Sequence, residues 1–192
     1  MMEKSGLASL AFFYCDFRED VKRDLRGLVS SILVQLSDQS NSYYHMVSKF
    51  YSNHKDGKQD SGDDELVKCL KDILRVPGQA PVYLIVDGLD ECSTISSTPS
   101  PREKVLTFLK DLVDIQLPNL RICVTSRPEV DIKDVLEPLA FHSVSLHDET
   151  GQEEDIGNYI RFVVSTDTNM RRWRAADREL VIDVLIKKSD GM

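Results

Sequence analysis

No stretch of this 192-residue chain reaches the roughly 18 consecutive apolar residues that a membrane-crossing helix needs, so no span is expected. Its cysteines, Cys15, Cys69, Cys92 and Cys123, include no C-x-x-C pair. That spacing would have signalled a zinc site or a thioredoxin-like dithiol. Two of them sit inside apolar runs, which predicts reduced, buried thiols in an intracellular, cytoplasmic protein. Positive charge is scarce: 24 Lys and Arg stand against 32 Asp and Glu, a net charge of -8. A broad nucleic-acid surface needs clustered Lys and Arg to neutralise phosphates, so no nucleic-acid partner is expected. The four histidines form no metal constellation, since His142 and His147 differ in strand parity and His45 and His54 lie elsewhere. There are no internal repeats and no low-complexity tract.

What remains is an ordinary globular composition, 41% apolar and 29% charged. The length suits one domain with the start of a second, and a chain of this size buries about 70% of its unfolded surface without disulfides. The opening MMEKSGLASLAFFYC has an apolar run of signal-peptide length. It carries Glu3, is rich in aromatics and runs straight into DFRED, so it reads as a buried strand.

Two apolar periods then alternate. Leu7–Tyr14 is nearly continuous, as a strand covered on both faces would be. Val21, Leu25, Leu28, Ile32 and Leu36 recur at helical spacing, and a second helix carries Tyr43, Met46, Val47 and Phe50. The polar stretch His54–Asp64 reads as a loop, with Asp63 or Asp64 capping a helix striped by Leu66, Leu70, Ile73 and Leu74. Val82–Val86 is a short β-branched run, a central parallel strand. Further on come a Ser/Thr/Pro loop over Cys92–Pro101, a helix through Val105 to Val113, a strand over Arg121–Thr125, a short helix over Asp131–Leu136 and an alternating strand over His142–Leu146. After Thr150 the pattern is purely helical. The basic cluster Met170–Arg174 reads as a solvated helix end with one packed Trp173. Strand–helix alternation predicts an α/β fold, a parallel sheet with helices packed around it over residues 1–148, followed by a helical subdomain over 149–192.

Ligands in such sheets bind beyond the carboxyl ends of the strands. Three strand ends carry polar signatures: Cys15-Asp16-Phe17-Arg18, Asp87-Gly88-Leu89-Asp90-Glu91 and Thr125-Ser126-Arg127. Three carboxylates within five residues repel one another and are costly to desolvate, and a cation relieves that cost. Four apolar residues followed by Asp is the Walker B arrangement. Asp87 would hold Mg²⁺ directly or through water, Gly88 would allow the turn, and Asp90 or Glu91 would orient or deprotonate an attacking water. Arg127 could meet a γ-phosphate. The plainer readings are a solvated acidic turn, an ion-paired surface arginine, and a structural pairing of Asp16 with Arg18 or neighbouring helices.

The order FFYCDFRED, SSILVQLSD, VYLIVDGLDEC, RICVTSRPEVDI, EEDIGNYI, KKSDGM resembles the fungal NACHT-type signalling NTPases, STAND-class ATPases that share the nephrocystin-3-like N-terminal domain. The resemblance implies a P-loop NTPase-type sheet, Mg²⁺ and ATP as cofactors, and nucleotide binding as a switch for oligomerisation with other NACHT-type protomers or flanking signalling domains. It carries Asp87 over as the Mg²⁺-associated and nucleotide-facing acid, Asp90 and Glu91 as the second acidic position, and Arg127 as the nucleotide sensor after the fourth core strand.

The family's phosphate cradle, G-x-x-x-x-G-K-[ST], is not in this sequence. Its one Gly-Lys pair, Gly57-Lys58, lies in the polar loop and is followed by Gln59. In the family the P-loop strand and helix precede the strand matching Leu10–Tyr14, so the expectation is a fragment beginning after them and ending within the helical lid. Without backbone N–H groups and a Lys to grip phosphates, Asp87 should hold metal only weakly, with no ATP hydrolysis and no nucleotide bound by this chain alone. The alternatives are a nucleotide-independent interaction module derived from a NACHT protein, and a metal-dependent hydrolase or nuclease using Asp87, Asp90 and Glu91 with Asp16.

Overall fold

A computed structural model describes residues 7–54, 62–95, 98–145 and 152–189. The chain divides into two compact units, residues 1–140 and 141–192. The first is α/β. Its strands β1 (Ser9–Tyr14), β2 (Val82–Asp87) and β3 (Leu120–Val124) form a parallel sheet in that order, with Tyr14 beside Asp87 and Val86 beside Val124. Among the described residues, helices α1 (Leu25–Ser37), α2 (Asn41–Asn53), α3 (Asp63–Leu74), α4 (Pro101–Asp114) and α5 (Val130–Leu136) make up the rest of that unit's regular structure, with short 3₁₀ turns.

Local chemistry accounts for the helix ends. The helical spacing begins at Val21, but α1 begins only at Leu25: residues 20–22 form a 3₁₀ turn, and the Asp24 carboxylate caps the helix by accepting the Gly27 N–H at 2.8 Å. A Cβ on residue 27 would sit 1.8 Å from the Val21 carbonyl oxygen, so only glycine lets the turn pack this closely. α4 carries a full capping box: Ser100 Oγ accepts from Glu103 N, and Glu103 Oε2 accepts from Ser100 N, with Pro101 at the first helical position. At α3 the residue before the helix is Gly62, not an aspartate. Asp63 and Asp64 lie inside the first turn, where negative charge faces the helix N-terminus, and Glu65 accepts the Gly62 N–H.

One core holds this unit together. Ala11 and Phe13 of β1, with Val82, Leu84 and Val86 of β2, pack against Leu28, Ile32 and Leu36 of α1, Leu70 and Ile73 of α3, and Val105 and Leu109 of α4. The expectation that β1 is covered on both faces is corrected. Phe12 and Tyr14 are 42% and 58% exposed, and Tyr83 of β2 and Cys123 of β3 share that open face. Among the described residues the helices of this unit cover only the other face, so alternate side chains meet solvent despite being apolar. Cys123 is therefore exposed, while Cys15, Cys69 and Cys92 are buried as expected.

In the second unit α6 (Gln152–Thr166) packs against α7 (Ala175–Ser189), with Val164 and Ile182 buried. The expected strand over His142–Leu146 is not formed at residues 142–145, and Leu146 lies outside the described residues. An alternating pattern makes a strand only where a neighbour supplies the ladder, and no described strand pairs with this one. Trp173 is half-exposed instead of packed, after a 3₁₀ turn at Met170–Arg172, and Arg174 pairs with Asp177. No described helix is long and apolar enough to cross a membrane.

Candidate functional site

Parallel register brings the carboxyl ends of all three strands to one edge. There β2 ends on Asp87. Gly88 follows at φ +69°, a left-handed conformation that favours glycine, and the chain enters a 3₁₀ turn, Leu89–Glu91. Leu89 is fully buried and anchors the turn, and its N–H donates to the Thr125 carbonyl at 3.0 Å. Cys15 N donates to the Asp87 carbonyl at 2.9 Å, and Thr125 N to that of Val86 at 2.9 Å, so the two outer strand ends clamp the middle one.

Side chains continue this lacing. The Thr125 hydroxyl donates to Asp87 Oδ1 and accepts the Gly88 N–H at 3.1 Å. Asp90, whose side chain is only 12% exposed, accepts the Arg127 N–H at 3.0 Å and faces the Arg127 Nε at 3.6 Å, while the Arg127 side chain is 82% exposed. Glu91 Oε2 accepts the Phe17 N–H at 3.3 Å. The structure thus brings Asp87, Asp90, Glu91 and Arg127 to one edge. It turns the Asp90 and Glu91 carboxylates toward different protein partners, not toward a point shared with Asp87. Among the described residues no three His, Cys, Asp or Glu side chains gather as a metal site.

Asp16 pairs with Arg18, as the structural reading of those residues expects. Its oxygens accept from the Arg18 backbone N–H, Nε and Nη2 at 2.9–3.0 Å. These bonds hold the Asp16 carboxyl down at about 2, below its ordinary 3.8. The favourable contribution of a depressed carboxylate is present above 3.8 and is lost as pH falls toward 2, and at this surface position it is small. A carbon-detected NMR titration should find Asp16 ionised well below the usual carboxylate range, and Arg18→Ala, which keeps the backbone N–H but removes the guanidinium, should move it part of the way back.

Two features of the site have no signature in the sequence. Arg102, in the first turn of α4, is buried. It donates from Nη2 to the Asp90 carbonyl, from Nε to the Cys92 carbonyl at 3.3 Å, and from Nη1 to Asp131 at 3.3 Å. It therefore holds the acidic turn from behind. The second is a thiol pair: Cys15 and Cys92 Sγ lie 3.4 Å apart beneath the turn. Hydrogen bonding to Cys15, then the nearby Arg102 charge, pushes the Cys92 thiol down, and the same bond together with burial pushes Cys15 up.

The family model described as Nephrocystin 3, N-terminal matches residues 1–127. No curated protein and no solved structure gives a match.

Proposed function

This chain belongs to the nephrocystin 3 N-terminal family, and from that premise we propose that it is a NACHT-type nucleotide-switch module carrying the metal-facing half of a nucleotide pocket without a phosphate cradle. The observation that carries this reading is the end of β2: an apolar strand, Asp87, a left-handed Gly88, and a hydroxyl from the next strand end fixing the Asp87 carboxylate. In this reading Asp87 is the acid that Mg²⁺ approaches, Asp90 and Glu91 form the second acidic position, and Arg127 reaches from the tip of β3 toward a phosphoryl group.

The residues present do not make a resident metal site. Mg²⁺ keeps several waters and is held by one or two carboxylates together with substrate phosphates. Here Asp90 is bonded to Arg127 and Glu91 to Phe17 N, which leaves Asp87, already sharing a hydrogen bond with Thr125. The sequence has no G-x-x-x-x-G-K-[ST] to bring phosphates to it. We therefore assign no catalytic step to these side chains in this chain alone.

The expected result is ATP turnover at the buffer rate. Ligand at or below its Kd stabilises by less than about 0.5 kcal/mol, so Mg·ATP should move the melting temperature by only about 1 °C, with or without Asp87→Ala. Turnover that Asp87→Ala abolishes would overturn the proposal.

One observation favours a second reading. The outer edge of β3 pairs with no strand among the described residues, and the sheet face beside it exposes Phe12, Tyr14 and Tyr83. That supports a nucleotide-independent module contacting other NACHT-type protomers or flanking signalling domains through this edge. Sedimentation separates the two: self-association that responds to Mg·ATP supports the first reading, and an association state indifferent to Mg·ATP supports the module.

A further inference from the structure

Cys15 ends the segment that continues β1, and Cys92 ends the turn that follows β2. They are 77 residues apart in sequence, yet their Sγ atoms lie 3.4 Å apart. The backbone already fixes this approach, because Cys15 N is bonded to Asp87 O and Cys92 N to Leu89 O. Closing a disulfide to about 2.05 Å requires a shift of about 1.4 Å, within the reach of side-chain rotation. Cys69 and Cys123 have no such neighbour among the described residues: one is buried on α3, the other exposed on β3.

We propose that Cys15 and Cys92 are an oxidative modification site, a dithiol that a hydroperoxide converts to an intramolecular disulfide, tying the end of β1 to the turn that carries Asp90 and Glu91. The inference stands whether or not the pocket takes a nucleotide. Burial selects the oxidant. Cys15 is 7% and Cys92 2% exposed, so a peroxide little larger than water reaches these sulfurs on local opening, whereas a bulky disulfide such as oxidised glutathione does not.

The steps balance. Cys92 Sγ attacks one peroxide oxygen, the O–O bond breaks, and the thiol proton leaves with the released hydroxide as water, giving a sulfenic acid. Cys15 Sγ then attacks the Cys92 sulfur. The S–S bond forms, the S–O bond breaks, and hydroxide leaves with the Cys15 proton as a second water. Two electrons have passed from the thiol pair to the peroxide.

The test treats the full chain with hydrogen peroxide or, separately, oxidised glutathione, removes the oxidant, blocks free thiols with N-ethylmaleimide in denaturant, and maps peptides without reduction. Peroxide should remove two of the four thiols, lower the chain mass by two hydrogens and yield a Cys15–Cys92 peptide, and Cys123→Ser should lose the same two of its three thiols and yield the same peptide. Oxidised glutathione should leave both thiols alkylatable. Closing a loop of this length should raise the melting temperature by roughly 10 °C, reversibly with dithiothreitol. Cys15→Ser should leave a dimedone-reactive sulfenic acid on Cys92. If that variant does not fold, the peptide maps of the natural chain and of Cys123→Ser decide. The inference is overturned if only Cys123 forms a disulfide, if Cys92 oxidises while Cys15 stays alkylatable, or if oxidised glutathione closes the pair and peroxide does not.

Discussion

Arg102→Ala should destabilise the α/β unit by about 3 kcal/mol and lower its melting temperature by roughly 6–12 °C. The side chain is buried and forks across the chain, donating to the carbonyls of Asp90 and Cys92 on one side and to Asp131 on the other. Bonds from a charged donor are worth about 1.5–3 kcal/mol each, and truncation leaves two carbonyls of a tight turn without that donor. The pair with Asp131 adds little, because the Asp131 side chain is 47% exposed and water screens it. Asp131→Ala should therefore cost well under about 1 kcal/mol, and Arg102→Lys should recover little, since an ammonium cannot span both carbonyls. Urea unfolding of the three variants measures this directly. An Asp131→Ala loss as large as that of Arg102→Ala would place the energy in the ion pair and leave the turn held by Leu89 and the strand ends alone.

That residue also marks where reading the sequence stops working. The elements that follow from apolar period are found: β2 over a β-branched run, α1 with Leu28, Ile32 and Leu36 inward, and α4 through Val105 to Val113. So is the grouping of Asp87, Asp90, Glu91 and Arg127, because parallel strands send their carboxyl ends to one edge. Arg102 escapes because two of its partners are backbone carbonyls, which no residue type encodes, and an arginine in a first helical turn looks like surface. Cys15 and Cys92 escape because contact across 77 residues depends on strand register, and neither thiol carries a spacing signal. The strand expected over His142–Leu146 fails for the converse reason. Its alternation is real, but alternation describes one chain, and a strand needs a second.

Gln35 and Gln39 show the same limit and carry the other large effect. Gln35 lies on α1 and Gln39 in the turn just after it, and each lies against the outer edge of β1 and replaces a strand there. Gln39 Oε1 accepts the Leu10 N–H at 2.8 Å while its Nε2 donates to the Leu10 carbonyl at 2.6 Å, and Gln35 does the same for Phe12 at 3.0 and 2.7 Å. The outward N–H and C=O groups of Leu10 and Phe12 are thus satisfied within the chain, whereas the outer edge of β3 pairs with no strand among the described residues. A sheet with one open edge can at most pair once. With both edges open, each copy can join two others, and growth has no closed end.

The double variant Gln35→Ala/Gln39→Ala should therefore do two separable things. It should lower stability by about 2–3 kcal/mol, less than four fully buried bonds would suggest because water reaches the Phe12 end. It should also convert the protein to concentration-dependent, open-ended oligomers seen by light scattering. Gln39→Glu divides the two effects. Its carboxylate still accepts the Leu10 N–H but faces the Leu10 carbonyl, so stability falls, while a charge on the edge opposes strand addition. Loss of stability without self-association in Gln39→Glu, and both together in the double alanine variant, is the expected pattern. A double alanine variant that stays monomeric at its original stability would mean that water serves the β1 edge as well as the glutamines do.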